Sequence, residues 1–138
     1  MPSQAATLAS WIARVGVAGL FLFTGVFKLT GNPDAQATFA QIGGDPVMYF
    51  TGLAEVIGAV LILLPKTKAV GGVFAMGVMG GAITSHAANL VPNHDMLPLA
   101  VVLFAAAAVV AFLHRSELPV VGGRLSAPHP EPVDAGAA

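Results

Sequence analysis

The apolar stretches of this sequence contain a few ionisable side chains, which are the first candidates for chemistry: Arg14, Lys28, Glu55 and His86. An ionisable group at membrane depth is costly to insert, so such groups usually face the interior of a helix bundle. Arg14 and Lys28 share one helical stripe, because steps of three or four residues connect them. The stripe consists of Arg14, Ala18, Phe21, Gly25 and Lys28. It is predicted to point inward.

Arg14 and Glu55 are predicted to form a buried ion pair. Glu55 lies almost at the midpoint of the second apolar stretch. Arg14 lies about 7–8 Å from the midpoint of the first stretch at the rise of an α-helix. Two alternatives remain open: Arg14 extends to the lipid headgroups, or a protonated Glu55 faces a cavity.

Lys28 and His86 occur at similar depths, and Ser85 and Asn89 share the last helical turn with His86. These four side chains are predicted to line a polar pocket that could hold a ligand. The alternative is that Lys28 and His86 are interfacial anchors. His94 and Asp95 follow in the next loop, but with His86 they form no known metal-ligand spacing, so no metal site is predicted. Catalytic residues cannot be assigned from these patterns.

The composition indicates the class of protein in which these ionisable residues occur. The chain has 138 residues, a mean hydropathy of +0.80, 56% hydrophobic residues and 9% charged residues, whereas a soluble domain has about 25% charged residues. This excludes an ordinary soluble globule, a disordered chain and a nucleic-acid binder. The chain contains no Cys, which excludes thiol–disulfide and iron–sulfur chemistry within it.

Four stretches are long and apolar enough to cross a bilayer, which takes about 20 residues: 8–29, 47–64, 69–90 and 96–113. Backbone groups in lipid must pair internally, so these stretches are predicted helices. Short connections make consecutive helices antiparallel neighbours. The predicted fold is all-α: an integral membrane four-helix bundle with up-down-up-down topology over residues 1–115, followed by a disordered cytoplasmic tail over 116–138.

The connection between the first two stretches carries its own helix signals. Asn32 is a predicted N-cap, Pro33 follows at the first helical position, and Gly43 with Gly44 is read as a helix stop. Residues 33–42 are therefore predicted to form a short interfacial helix between helices one and two. The alternative is a plain polar loop.

Basic residues concentrate on one side of this arrangement: Arg14, Lys66, Lys68, Arg115 and Arg124. Lys and Arg mark the cytoplasmic side, so both termini are expected in the cytoplasm, in a bacterial-type inner membrane. Residues 1–7 lack a positive region, which argues against a cleaved signal peptide.

Small residues predict close helix packing at two places. Gly77, Gly81 and Ser85 form a ridge in the third stretch, and Ala54 and Gly58 flank the glutamate of the second. Gly25 adds a small position on the first stretch. The same ridges could equally form the interface of a homo-oligomer.

The order of these features resembles the DoxX-like family of small four-helix bacterial inner-membrane proteins. The resemblance covers residues 10–113 and rests on the first-helix stripe, Glu55-x-x-Gly58 leading into the run that ends at Pro65, and His86. Ala18 stands where the family pattern often has Gly.

The resemblance implies a role in redox metabolism. Relatives include the membrane subunit of a thiosulfate:quinone oxidoreductase, and others are described as membrane partners of redox-stress enzymes. We therefore expect a membrane subunit or partner of a quinone-linked oxidoreductase, in which Lys28 and His86 contact a bound quinone while Arg14 and Glu55 organise the bundle. No intrinsic cofactor is expected, because no haem-ligand or nucleotide-binding pattern occurs.

Two further classes of function remain open. One is a non-catalytic scaffold that binds a lipid, a small ligand or another membrane protein. The other is a transporter or channel, which the lack of broken helices and inverted repeats disfavours. The expected partners are the lipid bilayer, a redox enzyme or other membrane protein, and further copies of the chain.

Overall fold

The computed structural model describes residues 4–92 and 94–119, and these contain helices without any strand. The helices are α1 (Gln4–Leu29), α2 (Pro33–Phe39), α3 (Gly44–Leu63), α4 (Lys68–Ala87) and α5 (Leu97–Leu113), followed by a 3₁₀ turn at Arg115–Glu117. The predicted tail therefore starts with an ordered turn, and its remainder from residue 120 lies outside the described residues.

Three of the helices are long and apolar enough to cross a membrane, namely α1, α3 and α4. α5 is a shorter apolar helix of 17 residues. α4 ends at Ala87, three residues before the apolar stretch does, because Asn89 adopts a left-handed backbone with φ of 54°. A left-handed residue cannot continue a right-handed helix, so it turns the chain toward α5.

The segment between α1 and α3 contains the predicted short helix, with different bounds. The Asn32 side chain accepts a hydrogen bond from the Asp34 N–H at 2.9 Å, and Pro33 begins α2. The helix ends at Phe39, earlier than predicted. Gly43 has a φ of 118° and is the N-cap of α3 rather than the stop of α2.

Packing brings each of the four long helices against two others. α1 packs along α3 and α5, and α4 packs along the same two helices. The start of α1 meets the end of α3, and farther along a Cβ placed on Gly25 would lie only 2.9 Å from the Gly52 carbonyl oxygen. The predicted role of Gly25 in close packing is consistent with this approach, because a larger residue would push the two backbones apart.

The small-residue ridge of α4 does not pack within the chain. A Cβ on Gly77 or Gly81 would meet nothing within 4 Å, whereas one on Gly58 would lie 3.3 Å from Phe74. The expectation that Gly77 and Gly81 support helix packing inside the bundle is therefore wrong. These glycines lie on a face of α4 that its neighbouring helices do not cover. Ala54, beside Glu55, is half-buried.

The interior is apolar and the outside is too. Phe21, Met48, Ile62 and Val110 are the largest fully buried side chains. Large hydrophobic side chains are also exposed on every long helix, including Phe23, which is 69% exposed. A soluble monomer rarely exposes continuous apolar surface of this kind.

Candidate functional site

The most buried charge in the described chain belongs to Glu55, and Lys28 is its partner. The Lys28 ammonium donates to both carboxylate oxygens, at 2.8 and 3.0 Å. The Glu55 side chain is 3% exposed and that of Lys28 is 16% exposed. The close approach of α1 and α3 at Gly25 places the two helices near enough for this contact.

The predicted Arg14–Glu55 ion pair is wrong. Arg14 is buried, but its guanidinium donates to the carbonyl oxygens of Ile62 at 2.9 Å and Leu63 at 2.6 Å. It also lies over the Trp11 ring, 4.6 Å from the ring centre. The last carbonyls of an α-helix have no intrahelical partner, and a cation there interacts favourably with the helix dipole. Arg14 therefore caps the end of α3.

The direction in which helical side chains lean explains why Lys28, and not Arg14, reaches Glu55. Side chains in an α-helix lean toward its N-terminus. Lys28 leans back along α1 toward the level of Glu55, and its ammonium also reaches the Thr24 carbonyl at 3.4 Å. Arg14 leans in the same direction, back over Trp11, and this carries its guanidinium farther from the level of Glu55. Seven residues separate Glu55 from Ile62, which is about 10 Å along the helix.

His86 faces His94 at the end of α4. The two Nδ1 atoms are 3.4 Å apart, and the ring centres are 5.5 Å apart. His86 is 7% exposed, whereas His94 is exposed. This contact joins the last turn of α4 to the connection before α5.

The four side chains expected to line a pocket have separate partners in the described structure. Lys28 binds Glu55, and His86 faces His94. Ser85 donates to the Gly81 carbonyl of its own helix at 3.0 Å, and Asn89 is an exposed turn residue. The hydrogen bonds and ion pairs of Lys28 go to Thr24 and Glu55, and α1 and α4 each pack mainly on α3 and α5, so the described residues do not bring the four side chains together as one pocket lining.

A second polar cluster lies where α4 begins and α5 ends, beside Ser10 of α1. The sequence analysis did not predict it. The His114 ring has Nε2 2.9 Å from the Ser10 hydroxyl and Nδ1 3.3 Å from the Glu117 carboxylate. Lys68 pairs with the same carboxylate at 2.7 Å. Burial lowers the pKa of His114, and the positive charges of Lys68 and Arg14 lower it further, whereas Glu117 opposes the shift. Ser10 and His114 are 104 positions apart, so no local pattern indicated their contact.

Every buried side-chain nitrogen and oxygen in the described residues has a hydrogen-bond partner. Those residues also contain no group of three or more His, Asp or Glu that could hold a metal ion. Two open apolar depressions lie on the outward face of α1, one beside Trp11 and one beside Phe23 and Phe27. The buried polar side chains therefore form their hydrogen bonds within the chain.

The sequence of the chain matches a known protein family. No curated protein and no solved structure matches the chain significantly. A family model described as the DoxX-like family matches residues 12–110. The matched region is most of the chain and includes Arg14, Lys28, Glu55 and His86. Since the match covers well over half of the chain and reaches every apolar helix, the chain belongs to the DoxX-like family.

Proposed function

We propose that the chain is a four-span protein of a bacterial-type inner membrane, with α1, α3, α4 and α5 as an antiparallel up-down-up-down bundle and both termini in the cytoplasm. Three helices of sufficient length and the apolar α5 support four spans. The basic residues of the α3–α4 connection and of the α5 end support the orientation. The apolar side of α2, with Ala35 and Phe39, packs on Met48 of α3, which suits a helix lying at the outer interface.

Within that membrane the protein acts as a non-catalytic partner or assembly subunit for another membrane protein. The observation that carries this proposal is that the buried charges are matched inside the chain. Lys28 holds Glu55, α3 carbonyls hold Arg14, and no buried side-chain polar atom among the described residues lacks a partner. Groups arranged for catalysis commonly keep an open position or a strongly uneven environment for the substrate.

The second candidate is a membrane subunit of a quinone-linked oxidoreductase. It is favoured by the exposure of the Lys28 side chain, which exceeds that of Glu55. The described residues do not fit a quinone pocket within this chain, however. Lys28 donates to two carboxylate oxygens and one carbonyl, and its other proposed co-ligand, His86, faces His94. In this candidate the quinone belongs to the partner protein or to the interface with it.

The test is gentle solubilisation of the natively expressed protein, followed by quantitative proteomics and mass spectrometry of the lipid extract. We expect another membrane protein at fixed stoichiometry, without quinone in stoichiometric amount. The Lys28→Met/Glu55→Met double variant tests the second candidate, because it removes the ammonium without leaving Glu55 unpaired; Lys66→Met, at an exposed position in the α3–α4 connection, is the control for loss of a lysine charge. Stoichiometric quinone that is lost from the folded double variant but kept by Lys66→Met would replace the first proposal by the second. A protein that purifies alone, with no partner, would contradict both.

A further inference from the structure

The contact between His86 and His94 has the dimensions of a metal-binding pair. Its Nδ1–Nδ1 distance is 3.4 Å, at the long end of the range for a hydrogen bond. Two imidazoles on a tetrahedral zinc ion, with bonds of about 2.0–2.1 Å, have their nitrogen atoms roughly 3.3–3.4 Å apart. The two Nδ1 atoms are therefore as far apart as two nitrogen ligands of one zinc ion.

Backbone hydrogen bonds fix the chain next to both His residues. His86 is fixed on the last turn of α4 and is buried. The left-handed Asn89 reverses the chain, and the Leu90 N–H bonds the Ser85 carbonyl at 3.0 Å. The His94 carbonyl then accepts from the Leu97 N–H at 3.0 Å, at the start of α5. The ring pair thus rests on hydrogen-bonded turns at both of its ends.

We propose that His86 and His94 bind a first-row divalent transition-metal cation, with Zn²⁺ as the representative ion. Neutral imidazole suits zinc, copper and nickel, whereas magnesium and calcium prefer oxygen ligands. His94 is exposed, which gives the ion access from solvent and leaves two coordination positions for water. The bound ion would tie the end of α4 to the beginning of α5. The sequence did not indicate this site, because the two His are eight residues apart across a loop, in no recognised ligand spacing.

The experiment measures metal binding by the full-length, detergent-solubilised chain, purified without a polyhistidine tag. Co²⁺ is the optical probe, because tetrahedral and octahedral Co²⁺ absorb differently, and Zn²⁺ competes it off. The decisive variant is His94→Asn, because position 94 is exposed and its substitution removes no buried side chain. His86→Asn is the second variant, and His114→Asn and His129→Asn are matched controls elsewhere in the chain.

We expect saturable Co²⁺ binding, displaced by Zn²⁺ but not by Mg²⁺, in the wild type and both controls. Loss of one of the two ligands should weaken it by roughly tenfold or more. Zn²⁺ should also raise the melting temperature of the wild type and leave that of His94→Asn unchanged. Absence of saturable binding, or equal binding by wild type and His94→Asn, would overturn the proposal. If His86→Asn does not fold, His94→Asn alone decides.

Discussion

At the scale of single residues, the Lys28–Glu55 pair is the feature on which the interior depends most. Two charges have been taken out of water and depend on each other, since the Glu55 side chain is 3% exposed. Removing one member of a buried pair leaves an uncompensated charge, whereas replacing both by apolar residues is often tolerated. The pair therefore explains why a charged residue can stand in the middle of the apolar α3.

The pair can be tested by a double-mutant cycle. Lys28→Met and Glu55→Met should each lower the stability by about 3–5 kcal/mol, and the double variant should recover much of that loss. The measurement is thermal or denaturant unfolding in detergent. Arg14→Met combined with Glu55→Met is the contrasting cycle, and its effects should be close to additive, because Arg14 contacts α3 carbonyls instead. Additive effects in the first cycle, or strong coupling in the second, would contradict this pairing.

His114 gives the protein a pH dependence with a defined sign. Its pKa is lowered in the folded protein, so the unfolded chain binds the proton first as the pH falls through about 6.5. Folding stability should therefore decline as the pH drops below that value. Lys68 and Arg14 strengthen this effect, Glu117 opposes it, and Ser10 contacts the ring at its other nitrogen. His114→Gln should show a shallower decline than the wild type between pH 7 and pH 5, in unfolding experiments. Equal slopes would contradict the assignment.

At the scale of elements, the crossing of α1 and α3 depends on two glycines. A Cβ on Gly25 would lie 2.9 Å from both the Gly52 carbonyl oxygen and a Val56 methyl group, and one on Gly52 would lie 3.0 Å from the Gly25 carbonyl oxygen. Backbone atoms cannot move aside as a flexible side chain can. The close approach of these helices is what brings Lys28 to Glu55.

Gly25→Ala should therefore destabilise the protein by about 1–3 kcal/mol, the usual cost of overpacking. Gly19→Ala is the matched control on the same helix, since a Cβ there meets nothing within 4 Å. Alanine has the higher helix propensity, so the control should be neutral or slightly stabilising. Unfolding of both variants in the same detergent measures the difference. Similar stability of the two would show that the crossing is not tightly packed.

The sequence predicted the helices better than their contacts. Runs of apolar residues indicated the long helices, and Asn32 with Pro33 indicated the start of α2. Helical periodicity correctly grouped Arg14 with Lys28 on one stripe, and both are largely buried. It could not say which of them reaches Glu55, because that depends on the side-chain lean and on the register of two helices. The outward face of Gly77 and the contacts of Ser10 with His114 also depend on tertiary packing.

At the scale of the whole molecule, the surface is apolar like the interior, which distinguishes the chain from a soluble protein. Large apolar side chains cover the outside of the long helices, while Arg14, Glu55 and His86 are buried. This arrangement suits lipid as the solvent, where charges are retained only with internal partners. An uncovered α4 face at Gly77 and Gly81 adds small residues to that surface.

The proposed topology can be tested by labelling introduced Cys residues. The chain contains no Cys of its own, so no native thiol contributes to the signal. Asp34→Cys in α2 should react with a membrane-impermeant maleimide in intact spheroplasts. Lys66→Cys, in the α3–α4 connection, should react only after the membrane is permeabilised. Both positions are exposed, so differences in labelling reflect the side of the membrane. Labelling of Lys66→Cys in intact spheroplasts would contradict the proposed orientation.

The most direct test of the proposed role is the partner content of the Lys28→Met/Glu55→Met double variant, purified from its native membrane. Its two charges are removed together, so no unpaired charge remains to unfold the chain. If the charges serve the bundle alone, the folded double variant retains the same partner at the wild-type stoichiometry, and the activity of that complex is unchanged. A folded double variant that loses its partner, or whose complex is less active than the wild-type complex, would contradict this and place the charge pair in the function itself.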